Sequence, residues 1–359
     1  QVSSTTTMGA GNTTIYAQWT ETPLQYTITL NYNANGGSGA PSAQTAKVTY
    51  PNTTNSFTLS TTQPTKTGYT FVGWFTDATN GTKVTSPYTV GKANTAADQS
   101  ATIYAHWTAN TNTAYKVEHY QEGLDGKYVL KDTENLTGTT GATATATAKT
   151  YTGFTYDSKV SGTIAGNGSL VLKLYYTRNS YTVTLASGTG ISAVSGANTY
   201  KYGASVTIDA TVTTGYTWSK WQQTSGGASV STTKNYGFTM PASNLSYTAV
   251  ATINTYTVTI KVNNASYGSV DKTSVANVPY GTKLTVNSNK VTINGTVVTA
   301  TVTEATGYTT TFTGWTNGTA TVTDALTVTA NFTRTAKPYK LNVYAYNNTV
   351  ADESAFANA

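Results

Sequence analysis

Gly68-Tyr69-Thr70-Phe71-Val72-Gly73-Trp74 returns as Gly215-Tyr216-Thr217-Trp218-Ser219-Lys220-Trp221 and, stretched by two residues, as Gly307-Tyr308-Thr309 through Gly314-Trp315. Each copy opens with a Gly, which permits a turn that a Cβ would obstruct. The β-branched and aromatic residues that follow favour a strand. In strict alternation Tyr69, Phe71 and Gly73 share one face, while Thr70, Val72 and Trp74 share the other. A module of roughly 75 residues gains much of its stability from a few large side chains, each burying on the order of 150–250 Å2. Trp74, Trp107, Trp221 and Trp315 therefore read as core anchors. The rival reading, an exposed platform for stacking on sugars, fits less well with the same aromatics recurring at the same landmark.

Other landmarks repeat around this one. Thr13-Thr14-Ile15-Tyr16-Ala17-Gln18-Trp19-Thr20 reappears as Ala101-Thr102-Ile103-Tyr104-Ala105-His106-Trp107-Thr108, with an echo at Leu326-Thr327-Val328-Thr329-Ala330-Asn331-Phe332-Thr333. Each marks the last strand of a unit. First strands recur as Gln25 to Leu30, Ser180 to Leu185 and Thr255 to Ile260, alternating Tyr, Ile or Val with Thr. The landmarks divide the chain into the tail of a preceding repeat at 1–22, complete repeats at 24–109, 180–253 and 254–334, and the start of a further module or a C-terminal strand at 337–359.

Residues 113–178 break the pattern. They begin Ala114-Tyr115-Lys116-Val117-Glu118-His119-Tyr120, turn at Asp125-Gly126, resume at Lys127-Tyr128-Val129-Leu130 and close on Leu170 to Tyr176. Asp-Gly between such runs signals a hairpin, and the segment reads as an inserted module of a second type. Linkers are short, at Ala109 to Thr113, Thr177 to Ser180 and Ile253-Asn254. Short joints restrict hinging and point to an elongated array.

Composition agrees with this reading. Only 10% of residues are charged, while the chain holds 27 Tyr and 31 Gly; an ordinary domain carries about 25% charged residues. No cysteine is present, which excludes disulfides and thiolate metal sites. The net charge is +6, but Lys and Arg are scattered singly, so no nucleic-acid stripe is expected. No apolar run approaches the roughly 20 residues of a membrane helix. Lys47, Lys261 and Lys283 read as guards of strand edges.

Candidates for chemistry are few. Of the two histidines, His106 stands where the earlier copy has Gln18, so the repeat does not require an imidazole there. His119 has Glu118 beside it, but strand neighbours point to opposite faces. Asp125, Asp132 and Glu134 lie close in sequence without a calcium-loop pattern. Asn33-Ala34-Asn35-Gly36-Gly37-Ser38-Gly39 lacks the Lys-Ser or Lys-Thr of a phosphate loop and reads as a turn led by Asn35-Gly36. Sequons stand at Asn12, Asn52, Asn135 and Asn331, in a chain where Asn and Thr are common enough to generate them by chance. A Lys-to-Asn crosslink is the covalent staple left to small modules without cysteine. No catalytic, cofactor or metal residue is assigned, and no cofactor is expected.

On these residues 24–109 resembles the Listeria–Bacteroides repeat, also called the internalin B-repeat. The resemblance is carried by Asn33-Ala34-Asn35-Gly36-Gly37, by Pro64-Thr65-Lys66-Thr67-Gly68-Tyr69-Thr70-Phe71-Val72-Gly73-Trp74-Phe75 and by Ile103-Tyr104-Ala105-His106-Trp107. Spans 180–253 and 254–334 are similar to its divergent form. The former carries Phe238-Thr239-Met240-Pro241-Ala242-Ser243-Asn244, which the latter lacks. Segment 113–178 resembles the mucin-binding-protein modules of Gram-positive surface proteins. The fold expected is all-β to β-rich α+β: tandem β-grasp-like or β-sandwich-like modules, with room for one short helix in 24–109 and 113–178. The resemblance implies a non-catalytic extracellular stalk or spacer of a cell-surface adhesin. Two alternatives stand beside it: a glycan- or mucin-binding module centred on 113–178, and a subunit of an extracellular filament or surface layer. The partners so implied are host or environmental glycans and proteins, or neighbouring copies, with no nucleic acid and no membrane insertion.

Overall fold

The computed structural model describes residues 9–340 apart from 13, 15 and 157. The expected repeat tail at 1–22 lies partly, and the expected further module at 337–359 almost wholly, outside the described residues. The chain divides into two compact units, Gln1–Arg178 and Asn179–Ala359. Among the described residues there are strands and no helix.

In the first unit, β1 (Gln25–Asn33), β2 (Gln44–Thr49), β3 (Asn55–Phe57), β4 (Tyr69–Phe75), β5 (Tyr88–Val90) and β6 (Gln99–Ala109) form one assembly. A second follows from β7 (Thr113–Glu122), β8 (Tyr128–Gly138), β9 (Thr143–Thr145), β10 (Phe154–Tyr156), β11 (Ser161–Thr163) and β12 (Val171–Arg178). The second unit opens with β13 (Ser180–Ser187), β14 (Ile191–Ser195), β15 (Asn198–Lys201), β16 (Ser205–Val212), β17 (Tyr216–Gln223), β18 (Ser229–Ser231), β19 (Tyr236–Thr239) and β20 (Leu245–Ile253). It continues with β21 (Thr255–Val262), β22 (Gly268–Val270), β23 (Ser274–Pro279), β24 (Thr285–Asn287), β25 (Lys290–Ile293), β26 (Thr296–Val302), β27 (Tyr308–Thr316) and β28 (Leu326–Ala336).

One sheet plan recurs four times. The orders are β2-β1-β6-β4, β10-β12-β7-β8, β15-β13-β20-β17-β18 and β23-β21-β28-β27. In each, the first and last strands of the assembly lie side by side and parallel at the sheet centre: β1 with β6, β7 with β12, β13 with β20, and β21 with β28. Parallel neighbours need a long crossover, and here the rest of the assembly supplies it. Segment 113–178, which breaks the sequence pattern, follows this plan as well.

A smaller antiparallel layer closes each core: β3-β5, β9-β11, β14-β16-β19 and β22-β26-β25-β24. Alternation drives the packing. Ile28 and Leu30 on β1, Leu172 and Leu174 on β12, and Val328 and Ala330 on β28 point inward, and each is buried. The short helix allowed in 24–109 and 113–178 is absent among the described residues, because these crossovers are Thr-, Asn- and Gly-rich and lack a helical period.

The strict alternation expected at the Gly-Tyr-Thr landmark is corrected by a β-bulge. On β4 the pairing passes from Phe71–Trp107 to Gly73–His106 and skips Val72. An extra residue brings side chains three apart to one face, so Phe71 and Trp74 meet edge to face at 5.4 Å. The same slip occurs at Ser219 on β17 and Thr313 on β27. There it joins Trp218 to Trp221 at 5.5 Å and Phe312 to Trp315 at 5.7 Å. Each second Trp stands opposite a fully buried Ala on the last strand: Trp74 over Ala105, Trp221 over Ala249, Trp315 over Ala330. The small residue leaves room for the indole.

The edge-guard reading also needs correction. Lys47 lies on β2, at a sheet edge, but Lys261 lies on the central strand β21 and Lys283 outside any named strand.

Candidate functional site

Three places could carry chemistry or binding: the tryptophans, the two imidazoles with their carboxylates, and the open surface of the sheets. Trp74 and Trp221 are buried, while Trp107 and Trp315 are half-buried and pack against cores. Trp107 donates its indole N–H to the carbonyls of Ala34 and Asn35, both at 3.1 Å. That bond pins the Asn35-Gly36 turn, whose two positive φ values of 45° and 79° suit this dipeptide. These indoles are structural.

His106 stacks on Phe75 at 3.9 Å, and its Nε2 lies 2.8 Å from the Asp77 carbonyl. Asp77 itself is held below the usual carboxylate range, first by the backbone N–H groups of Thr79 and Asn80. Its carboxylate serves a turn.

His119 is wholly buried on β7. Tyr176 on β12 approaches Nδ1 at 2.8 Å, and Glu134 on β8 approaches Nε2 at 2.8 Å. The Tyr176 hydroxyl also accepts the Lys149 backbone N–H at 2.9 Å. One assignment satisfies every atom: Lys149 N–H to Tyr176 O, Tyr176 O–H to Nδ1, and Nε2–H to Glu134. A carboxylate accepts only, and Glu134 is held ionised by the His119 hydrogen bond and then by Lys149. Lys149 pairs with Asp132 and lies 3.1 Å from Glu134. Glu118 points away, as the alternation requires, and accepts from the Tyr120 hydroxyl at 2.6 Å.

The resulting chain Tyr176–His119–Glu134–Lys149–Asp132 was only half visible in sequence. The Asp125-Gly126 turn sets the pairing as far as Tyr120 with Leu130, and a β-bulge at Lys131 then places Asp132 opposite His119, but Lys149 and Tyr176 arrive through the fold. Functionally it is a closed network. The imidazole has no exposed edge, and both ring nitrogens have partners inside the protein. Lys149 stays an ammonium, its pKa raised by its hydrogen bond to Asp132, and Asp132 is lowered by the same bond. No group of three or more His, Cys, Asp or Glu suited to a metal ion occurs among the described residues.

The open depressions carry no such groups. One of about 280 Å3 is lined by Ala193, Val194, Asp209, Val212 and Lys234, with Lys234 paired to Asp209 at 2.8 Å. Another of about 450 Å3 is lined by Ile260, Val262, Val270 and Thr273. The outward face of β7, β8 and β12 is different. There Tyr175 stacks on Tyr120 at 5.3 Å and meets Tyr128 edge to face at 5.0 Å, while Tyr128, Leu130 and Tyr175 remain exposed. Reading the landmarks alone did not find this cluster, because none of its tyrosines belongs to a repeat.

The recurring plan has relatives among known families. Residues 26–106 match the Listeria-Bacteroides repeat domain, and residues 181–254 match the divergent InlB B-repeat domain. Segment 113–178, and 254–334 past its first residue, lie beyond both matches. No curated protein matches the chain. Among solved structures, the TIE protein of Bacillus anthracis is 10% identical at a TM-score of 0.27, over 64% of this chain and 51% of that one. The pilus adhesin SpaC of Lactobacillus rhamnosus GG, in its open conformation, is 11% identical at a TM-score of 0.17, over 71% and 47%. The chain spans about half the length of these structures, and likenesses this weak carry no structural argument. No helix among the described residues is long and apolar enough to cross a membrane.

Proposed function

We propose that the chain is a non-catalytic spacer in an extracellular, cell-surface protein, whose modules hold a binding region away from the surface. The observation that carries this reading is the fourfold recurrence of one sheet plan with a separate closed core, in a chain where two modules match surface-type repeats. A spacer needs length and stable units, and asks nothing of a cleft. A spacer built from four modules of roughly 30–40 Å each is expected to reach well over 100 Å in solution. Small-angle X-ray scattering tests this: a maximum dimension in that range supports the spacer, and a compact particle contradicts it.

A second reading, glycan binding by 113–178, is favoured by the Tyr120–Tyr128–Tyr175 cluster. The exposed Tyr128 and Tyr175, next to a Tyr120 that carries Lys173 over its ring and Glu118 on its hydroxyl, suit a sugar ring, with its apolar face and its hydroxyls. Glycan-array binding that is lost in Tyr175→Ala and Tyr128→Ala supports it; no binding by the parent chain leaves the spacer alone.

A further inference from the structure

Two joints between consecutive modules, one in each unit, are built alike. In the first unit the Asn110 N–H donates to the Gly68 carbonyl at 2.9 Å, and its own carbonyl accepts from the Thr140 N–H at 2.9 Å. Its side-chain Oδ1 accepts from the Thr70 hydroxyl at 2.8 Å. In the second unit the Asn254 N–H donates to the Gly215 carbonyl at 2.8 Å, its carbonyl accepts from the Tyr280 N–H at 2.9 Å, and its Oδ1 accepts from the Thr217 hydroxyl at 2.6 Å. One residue thus reaches back to the Gly-Tyr-Thr landmark of the module before it and forward into the module after it.

The landmark Gly is also where the next module makes contact. A Cβ on Gly68 would come within 2.3 Å of the Gly166 backbone, and one on Gly215 within 2.1 Å of the Tyr280 ring. The Gly that begins each landmark therefore does more than turn the chain. Single bonds of the same kind recur elsewhere: the Leu24 and Asn179 carbonyls accept from the N–H groups of Tyr50 and Tyr202, and the Lys337 N–H donates to the Gly307 carbonyl.

We propose that Asn110 and Asn254 are joint residues that, together with Gly68 and Gly215, lock each pair of consecutive modules within its unit into one orientation. Relative motion of neighbouring domains is the default unless their interface is large and apolar, so specific contacts at the joint decide the orientation. The lock joins three hydrogen bonds to a contact too close for any side chain at the landmark Gly. It holds whether the array spaces, binds a glycan or assembles.

The absence of cysteine makes the test clean. Exposed Ser225 and Lys290, on the two modules of the second unit, are changed to Cys in the full chain, spin-labelled and measured by pulsed electron resonance. The parent gives one narrow distance distribution. Asn254→Ala, which removes the Oδ1 bond from Thr217 and keeps the two backbone bonds, and Gly215→Ala, whose Cβ would collide with the Tyr280 ring, each broaden it by about twofold or more. Gly281→Ala is the control: it carries the same kind of positive φ, 82°, but its Cβ meets open space, so the width stays that of the parent. Circular dichroism confirms that each variant keeps its strands. A broad distribution in the parent, or parent-like widths in both folded joint variants, overturns the proposal.

Discussion

The assemblies β1–β6 and β7–β12 share a sheet plan and fill it in different ways. In the first, Trp74 stands over Ala105, and Phe71 and Tyr32 pack against its indole at 5.4 and 4.9 Å. In the second, the bulk comes from Tyr176 with a polar chain behind it, His119 to Glu134 to Lys149. The pairing of first and last strands sets the architecture, and either an apolar or a polar centre can occupy it. A polar centre demands that each of its atoms be satisfied, whereas an apolar one demands only that volume be filled.

The largest effect expected from this contrast is at the indoles. Trp74→Ala should cost about 3–5 kcal/mol, the range for emptying a core of Trp or Phe, read as a loss of denaturant midpoint in β1–β6. A cost under about 1 kcal/mol would place the indole outside the core. Next comes the polar centre. Glu134→Ala leaves the buried Nε2–H of His119 without its acceptor and should cost about 1–3 kcal/mol, whereas Glu134→Gln keeps an acceptor and should cost less. Equal costs for the two would argue against the network as drawn.

Acid should separate the assemblies more gently. Glu134 and Asp132 both have folded pKa values below their ordinary ones, through His119 and Lys149 for the former and Lys149 for the latter. Depressed carboxylates contribute stability above their unfolded values, near pH 4, and lose it as pH falls through the folded ones. Melting of β7–β12 should therefore drop as pH falls below about 4, and Glu134→Gln should flatten that drop. Both side chains are partly exposed, so solvent screening keeps the effect modest. The smallest effect is at His106, half-exposed on Phe75 and replaced by Gln18 in the earlier copy. His106→Gln should change stability by less than about 0.5 kcal/mol.

Much of this was legible in the sequence, for physical reasons that differ by element. Alternating Tyr, Ile and Thr marked β1, β13 and β21, because burial on one face leaves a period of two. Asn35-Gly36 and Asp125-Gly126 marked turns through their tolerance of positive φ. The bulge was missed although it leaves a trace: aromatics three apart in a strand, Phe71 and Trp74 or Trp218 and Trp221, cannot share a core without an extra residue. Segment 113–178 hid its kinship because its landmarks differ, and topology is set by which strands pair, which repeats of sequence do not report. The joint asparagines were invisible for a similar reason. Asn110 and Asn254 sit in short linkers, and their partners are 40 and 37 residues away.

The central claim is that the cores are separate, so that damage to one stays local. Hydrogen exchange on the full chain carrying Trp221→Ala measures this directly. The account predicts lost protection at the buried amides of Val183, Ile208 and Ala249, with Ile28, Leu30 and Ile103 in the other unit exchanging as slowly as in the parent. Faster exchange at both sets together would mean one shared interior, and would contradict it.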